Sequence, residues 1–470
     1  MKPRLLSWLA QATGGRLIGE DRSINAVATD TRALPSDGAP LFVALKGEQF
    51  DGHAHVAAAA AGGCVAALVA HEVDVAIPQV VVGNTERALG EFAAAVQRER
   101  ATRVLAITGS NGKTTVKTLL HSILRELGGA YANPGNRNNE IGLPLAVLDA
   151  PEMARYAVYE MGAGKPGDIA YLTAIARPDV ALVNNVAAAH LERMGSLQGV
   201  AETKGAIYDA LPEDGVAVVN ADDAFALYFA ERVHGCRTLR FGLDAHADVT
   251  ASEIHASMAG VQFVLSTPIG EVEVSLPLPG RHNVRNALAA ATMALAVGAD
   301  LEQVRAGLAQ SAPVSGRLVT HRLGDGALLI DDSYNANPGS LDAAIDVLAE
   351  ASGQRWLVLG DMRELGDGAA ELHALAGERA RAAGISRLYA HGPLSARAVE
   401  GFGSEGRHFD SHEALIAALS TALREADADP RRPVALAILV KGSRGSAMDR
   451  IVNALLQGDV GRGKETPDAA

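Results

Sequence analysis

The sequence predicts an α/β protein made of three units, two of them built on largely parallel sheets. Short apolar runs alternate with helix-patterned stretches along nearly the whole chain, the pattern of parallel strands covered by helices. A glycine-rich turn carrying Lys113 and Thr114 joins one such run to a strongly periodic helix. At 470 residues the chain is long enough for about three domains.

In chain order, residues 1–84 contain the apolar runs Leu41–Leu45, Val65–Val69 and Val80–Val82, with an alanine-rich helix between the first two; this is a small N-terminal α/β domain. Residues 85–312 form the central domain. Strand-like runs at 104–107, 156–160, 180–183 and 216–219 alternate there with helical patterns, and a more antiparallel stretch follows at 261–265 and 272–276. Residues 313–457 repeat the alternation with runs at 328–330, 356–359, 388–390 and 437–440, a C-terminal Rossmann-like domain. The polar, glycine-containing stretch 458–470 is expected to be a disordered tail.

The run Val104-Leu105-Ala106-Ile107 leads into Thr108-Gly109-Ser110-Asn111-Gly112-Lys113-Thr114-Thr115. The common phosphate loop has its first glycine where Ile107 stands, so this is the shorter form with two intervening residues. Val116, Leu119, Leu120, Ile123, Leu124 and Leu127 then keep helical spacing until Gly128 and Gly129 end the helix. The helix N-terminus would turn its free amides toward a phosphate, Lys113 would add a charge to the outer phosphates, and the Thr114 hydroxyl could ligate Mg²⁺. Gly109, Asn111, Gly112, Lys113, Thr114 and Thr115 are therefore the expected nucleoside-triphosphate-binding core, and the central domain is expected to be P-loop ATPase-like.

Composition narrows the remaining classes. A net charge of −13 argues against a nucleic-acid partner, which needs a positive field over a broad face. There is no run of about 18 uncharged apolar residues and no signal-peptide pattern at the N-terminus, so a cytoplasmic protein without membrane insertion is expected. Cys64 and Cys236 lack metal-type spacing and are expected to be buried small apolar residues.

Two strand ends carry further candidates. Glu160 closes the run 156–160, where parallel sheets hold ligands, and reads as a metal ligand or as a solvated strand-end carboxylate. His190 lies in the loop after 180–183, and a lone histidine is usually structural. Lys204 stands near a predicted helix start, and its residues alone read as a surface lysine.

Taken together, Thr108 to Thr115, Asn136 to Pro144 with Asn138-Asn139, Glu160-Met161-Gly162, His190-Leu191-Glu192, Lys204-Gly205, Tyr334 to Pro338, Leu359 to Gly366 and Lys441 to Arg444 resemble the ATP-dependent Mur ligases of peptidoglycan synthesis. The resemblance spans nearly the whole chain. It implies a three-domain enzyme that joins D-alanyl-D-alanine to UDP-N-acetylmuramoyl-tripeptide through an acyl phosphate, releasing the UDP-linked pentapeptide, ADP and phosphate. It further implies two Mg²⁺ ions, held by Thr114, Glu160, His190 and a carbamylated Lys204, with Lys113, Lys204 and His190 as catalytic residues. Asn283, Arg317 and Asp331 would contact the nucleotide, although Arg317 also reads as a linker ion-pair partner. Asp30, Thr31, Arg32 and Lys46 would bind the UDP end, with Asp30 to Arg32 also readable as a routine surface turn. Asn138, Asn139, Asn335 and Asn337 would contact substrate, the last two being also plausible turn residues before Pro338. The small N-terminal domain would be the UDP-binding one, and a monomer is expected. A sister ligase acting on a shorter UDP-peptide or on folate, and a nucleotide switch, are the rival classes.

Overall fold

The computed structural model describes residues 1–47, 49–188, 191–324, 326–428 and 435–460. The central domain carries a six-stranded, all-parallel sheet in the spatial order Arg237–Phe241, Val216–Asn220, Val180–Val183, Arg103–Thr108, Tyr156–Glu160, Ala130–Ala132. Its inner strands are covered on both faces, which is why each reads as an unbroken apolar run. The outer strands escaped the reading for the complementary reason: Ala130–Ala132 is three residues long and Arg237–Phe241 alternates exposed and buried positions at a sheet edge. Cys236 sits beside that edge and is only partly buried, a correction to the expectation, whereas Cys64 is buried and its burial pushes the thiol pKa up.

The two faces of this sheet are packed differently. One carries the helices Thr85–Arg98, Gly142–Asp149, Asp168–Ala176 and Leu197–Asp209. The other carries Lys113–Leu127, Arg281–Ala296, Leu301–Ala309 and the antiparallel ribbon Thr250–Ser257, Gly260–Thr267, Gly270–Leu276. The N-terminal domain has its own sheet, in the order Arg16–Ile18, Gln79–Val81, Ala66–Val69, Pro40–Val43, Ala26–Ala28. One side of that sheet is continuous with the core under Thr85–Arg98, through Leu6, Leu9, Leu89, Phe92, Leu143 and Val147, so the first two domains share one apolar cluster.

The C-terminal sheet runs Val319–Arg322, Leu328–Asp332, Leu436–Lys441, Gln354–Gly360, Arg387–His391, Gly406–Phe409, antiparallel only at the first pair. The last helix, Asp449–Val460, carries three residues of the stretch expected to be disordered, because a glycine such as Gly458 is tolerated near a helix end; residues 461–470 lie outside the described residues. Among the described residues no helix is long and apolar enough to cross a membrane.

Candidate active site

The phosphate loop leaves the C-terminal end of Arg103–Thr108, flanked by the ends of Tyr156–Glu160 and Val180–Val183. Gly112, the residue before the helix Lys113–Leu127, has φ of 77°, and a Cβ there would fall 2.4 Å from Asn286 Oδ1 and 2.5 Å from Asn184 Nδ2. Glycine is thus required by backbone and by space alike. Four asparagines brace the loop. Asn184 and Asn185 donate to the Asn111 carbonyl at 3.0 and 3.1 Å, Asn185 Oδ1 accepts the Asn111 N–H at 2.8 Å, Asn286 Oδ1 accepts from Asn184 at 3.1 Å, and Asn220 donates to the Asn184 carbonyl at 2.9 Å. Asn220 and Asn286 come from distant elements, and nothing in their local pattern marks them.

Lys113 Nζ folds back over the loop, donating to the Gly109 carbonyl at 2.6 Å and the Ser110 carbonyl at 3.3 Å. Lys204 Nζ donates to the same Gly109 carbonyl at 3.2 Å, from the helix Leu197–Asp209. Lys204 is 1% exposed, so the surface-lysine reading of its residues is overturned: the helix turns this face onto the strand ends, not toward water. Burial, with Lys113 alongside, pushes its pKa well below the usual lysine range. Burial also lowers Lys113, against the pull of Glu160.

Glu160 is buried as well. Burial pushes its carboxyl up, but Lys117, Lys113 and a hydrogen bond from Asn138 outweigh that and hold it below the usual range. Asn138 Nδ2 donates to Oε1 at 2.8 Å, while Oε2, 3.2 Å from Lys117 Nζ, makes no hydrogen bond among the described residues. A buried carboxylate oxygen with free lone pairs beside a phosphate loop fits a hard divalent cation, and Thr114 starts the adjacent helix. His190, the other expected ligand, lies outside the described residues. Lys117 was not singled out in the sequence; one turn beyond Lys113 on the same helix face, its spacing was the available signal.

A cleft of about 680 Å³ separates this loop from the C-terminal domain, lined by Lys113, Asn283, Arg317, Asp332, Asn335 and Asn337 among others. Arg317 packs over the Tyr334 ring at 4.6 Å and donates to Thr114 Oγ1 at 3.0 Å, so it reaches the nucleotide loop, and among the described residues it makes no ion pair. Asn337 caps the helix Pro338–Glu350 through Ser340 N–H and donates to Asn111 Oδ1 at 2.7 Å, joining the two domains. Asn335 is fixed through its carbonyl, which accepts from Lys441 at 3.0 Å. Asp331 turns away from the cleft to accept from the Ser333 N–H and hydroxyl, and its neighbour Asp332 lines the cleft, 2.5 Å from Lys441 Nζ. The strand alternates its faces, so of the two neighbouring carboxylates it is Asp332 that borders the cleft. Asn283 Nδ2 donates to the Pro279 carbonyl at 2.7 Å and Oδ1 accepts from Asn286 at 3.1 Å, leaving one N–H and one lone pair for a base edge. His282, beside it, is pushed down to about 4 by burial, with Lys441 and Arg285 adding to the shift, and stays neutral.

The remaining expected substrate residues are not in this cleft. Asn139 Oδ1 accepts the Gly142 N–H at 2.8 Å, a structural turn at the start of a helix. Arg32 is engaged in two-point contact with Asp30, 2.7 Å at the closer pair, beside Thr31, and Lys46 lies 3.9 Å from Asp51; all are on the N-terminal domain surface.

A phosphate loop on a parallel sheet, faced across a polar cleft by a second α/β domain that reaches it through Arg317 and Asn337, defines a nucleotide-dependent enzyme assembled from several domains. The Mur ligase middle domain family matches residues 107–294, and the Mur ligase glutamate ligase domain family matches residues 316–444. The chain belongs to the Mur ligase family, and its full-length relatives there carry the name UDP-N-acetylmuramoyl-tripeptide–D-alanyl-D-alanine ligase. The Escherichia coli K12 protein of that name is 46% identical over 96% of this chain and 98% of its own. A crystal structure of MurF from Acinetobacter baumannii superimposes with a TM-score of 0.91 at 35% identity, covering 97% of this chain and 99% of its own. The MurF ligase of Thermotoga maritima, solved in complex with ADP, gives a TM-score of 0.82 at 27% identity over 94% of this chain and 99% of its own.

Proposed function

We propose that this chain joins D-alanyl-D-alanine to UDP-N-acetylmuramoyl-tripeptide with cleavage of ATP to ADP and phosphate, a step of peptidoglycan synthesis. The observation that carries the reading is the pairing of the Lys113 loop with the Arg317 and Asn337 contacts across the cleft, in a chain whose full-length relatives bear that ligase name. ATP would lie with its phosphates on the loop and its base near Asn283.

In this reading Lys113 leaves the Gly109 carbonyl to meet the phosphates, and Arg317 leaves Thr114 to do the same from the opposite wall. Both neutralise negative charge as the phosphoryl group passes to the tripeptide carboxylate. Mg²⁺, when bound, supplies further charge neutralisation on the phosphoryl oxygens. Thr114, Glu160 and His190 would hold it, with Lys204 after modification. The buried, neutral Lys204 amine would add CO₂ and release a proton, becoming an anionic carbamate suited to a hard cation. The amine of D-alanyl-D-alanine then attacks the acyl phosphate, and phosphate leaves. Asn335, at the cleft wall, and Asn138, beside Glu160, would border the two acceptor substrates, with Asn139 holding the turn that presents Asn138. Asp30, Thr31, Arg32 and Lys46 would take the UDP end, and Asp331 would act by supporting the strand end at Asp332. Residues 1–84, 85–312 and 313–457 would serve the UDP-peptide, ATP and ligation in turn. The enzyme would work as a cytoplasmic monomer, where ATP and nucleotide-linked precursors are found.

The test is ADP release with purified UDP-tripeptide, with and without D-alanyl-D-alanine. Release that needs both substrates is expected; release indifferent to the dipeptide would point to a sister ligase or a bare nucleotidase.

Asn337 offers a narrower prediction. Asn337→Ala should cost about 1 kcal/mol of local stability through the lost cap. It should also raise the KM for ATP severalfold, because the contact with Asn111 is lost, while leaving the KM for UDP-tripeptide within about twofold. Steady-state kinetics with each substrate varied in turn would check this.

A further inference from the structure

Lys117 is a buried cation that the mechanism above does not use. It lies on the helix Lys113–Leu127, is 5% exposed, donates to the carbonyls of Asn133 and Gly135 at 3.0 Å each, and lies 3.2 Å from Glu160 Oε2. The obvious role for such a lysine is to hold Glu160 in place, but Glu160 is already held without it. Asn133 accepts the Glu160 N–H at 2.9 Å and donates to the Glu160 carbonyl at 3.2 Å, while Asn138 fixes Oε1 at 2.8 Å. Toward Glu160, beyond its bonds to the two carbonyls, Lys117 adds charge, set against the carboxylate oxygen that no hydrogen bond occupies among the described residues.

We infer that Lys117 is a resident counter-ion that competes with the divalent metal for Glu160 and so weakens metal binding until nucleotide phosphate supplies the balancing negative charge. The inference rests on the reading of Glu160 as a metal ligand. A fixed ammonium and a divalent ion sharing one carboxylate repel each other strongly in a site from which water is largely excluded. Metal would therefore enter with the nucleotide and leave with it, leaving the empty enzyme largely metal-free. Lys117 is a positioning residue for charge, not a group that touches the reacting atoms.

The experiment measures Mn²⁺ binding to the full-length, nucleotide-free protein by electron paramagnetic resonance. Lys117→Met and Lys117→Gln, which remove the charge while the asparagine contacts to Glu160 remain, should bind Mn²⁺ about tenfold or more tighter than wild type. Lys117→Arg keeps the charge and should not. A gain in thermal midpoint on adding Mn²⁺ that is larger in the neutral variants than in wild type gives the same answer for any variant of low yield. Binding unchanged or weakened in both neutral variants would overturn the inference. Glu160→Gln separates the two claims: Mn²⁺ binding in the Lys117→Met background should fall back on adding it, and if it does not, the assignment of Glu160 as a ligand fails and the inference with it.

Discussion

Lys113→Met should lower the rate of ADP release by about a thousandfold, with the fold and the binding of UDP-tripeptide retained. The side chain is nearly isosteric, so the change removes charge and little volume. That charge is now spent on the carbonyls of Gly109 and Ser110, contacts any phosphate oxygen would better replace. Phosphoryl transfer leaves little covalent work to the protein, so a charged group at the outer phosphates contributes mostly in the transition state. A loss of about 4 kcal/mol there corresponds to the rate ratio. Kinetics should show a fall in kcat with a much smaller change in the KM for ATP, and far-UV circular dichroism should match wild type. A kcat within tenfold of wild type would remove Lys113 from the chemistry.

Lys204→Ala should have a comparable effect, also about a thousandfold in kcat, for a different reason. Among the described residues Lys204 has no carboxylate partner, and its Nζ donates to the Gly109 carbonyl it shares with Lys113. Burial first, and then the Lys113 ammonium on the same carbonyl, disfavour a charged Lys204 and hold its pKa well below the usual lysine range. The sign follows: the folded pKa lies below the unfolded one, so the neutral amine is lost as pH falls through the lowered value, and the carbamate with it. Activity of the wild type should therefore fall on the acid side and recover with added bicarbonate, while the variant should respond instead to short carboxylates that can occupy the vacated arm. Mass spectrometry under native conditions should find CO₂ on the wild type alone. A Lys204→Ala enzyme of near-normal kcat would sink the assignment.

The phosphate loop was legible in the sequence because strand, glycines, lysine and helix are consecutive, and consecutive residues carry their geometry with them. The inner strands were legible for a related cause: burial on both faces leaves an apolar run that needs no partner to be seen. Edge strands such as Arg237–Phe241 were not, since three of that strand's five residues face water. Lys204 shows the limit more sharply. Its neighbours describe an ordinary helix, and only family resemblance raised it above a surface lysine. The register by which that helix packs on the sheet buries it. At Asp331 the fold adds what spacing does not show: its carboxylate accepts from Ser333, while the neighbouring Asp332 lines the cleft.

The sequence by itself determined the parallel α/β character of the chain, the nucleotide-binding loop, the three-domain order and the family. All of these are written in local spacing or in motifs whose order along the chain is specific. Tertiary structure decided which side chains meet: that Asn220 and Asn286 brace the loop, that Arg317 and Asn337 cross from the third domain to touch it, and that Lys117 stands against Glu160. These contacts join residues tens to hundreds of positions apart, and burial charges each buried polar group for lacking a partner, so only the packed fold selects the pairings.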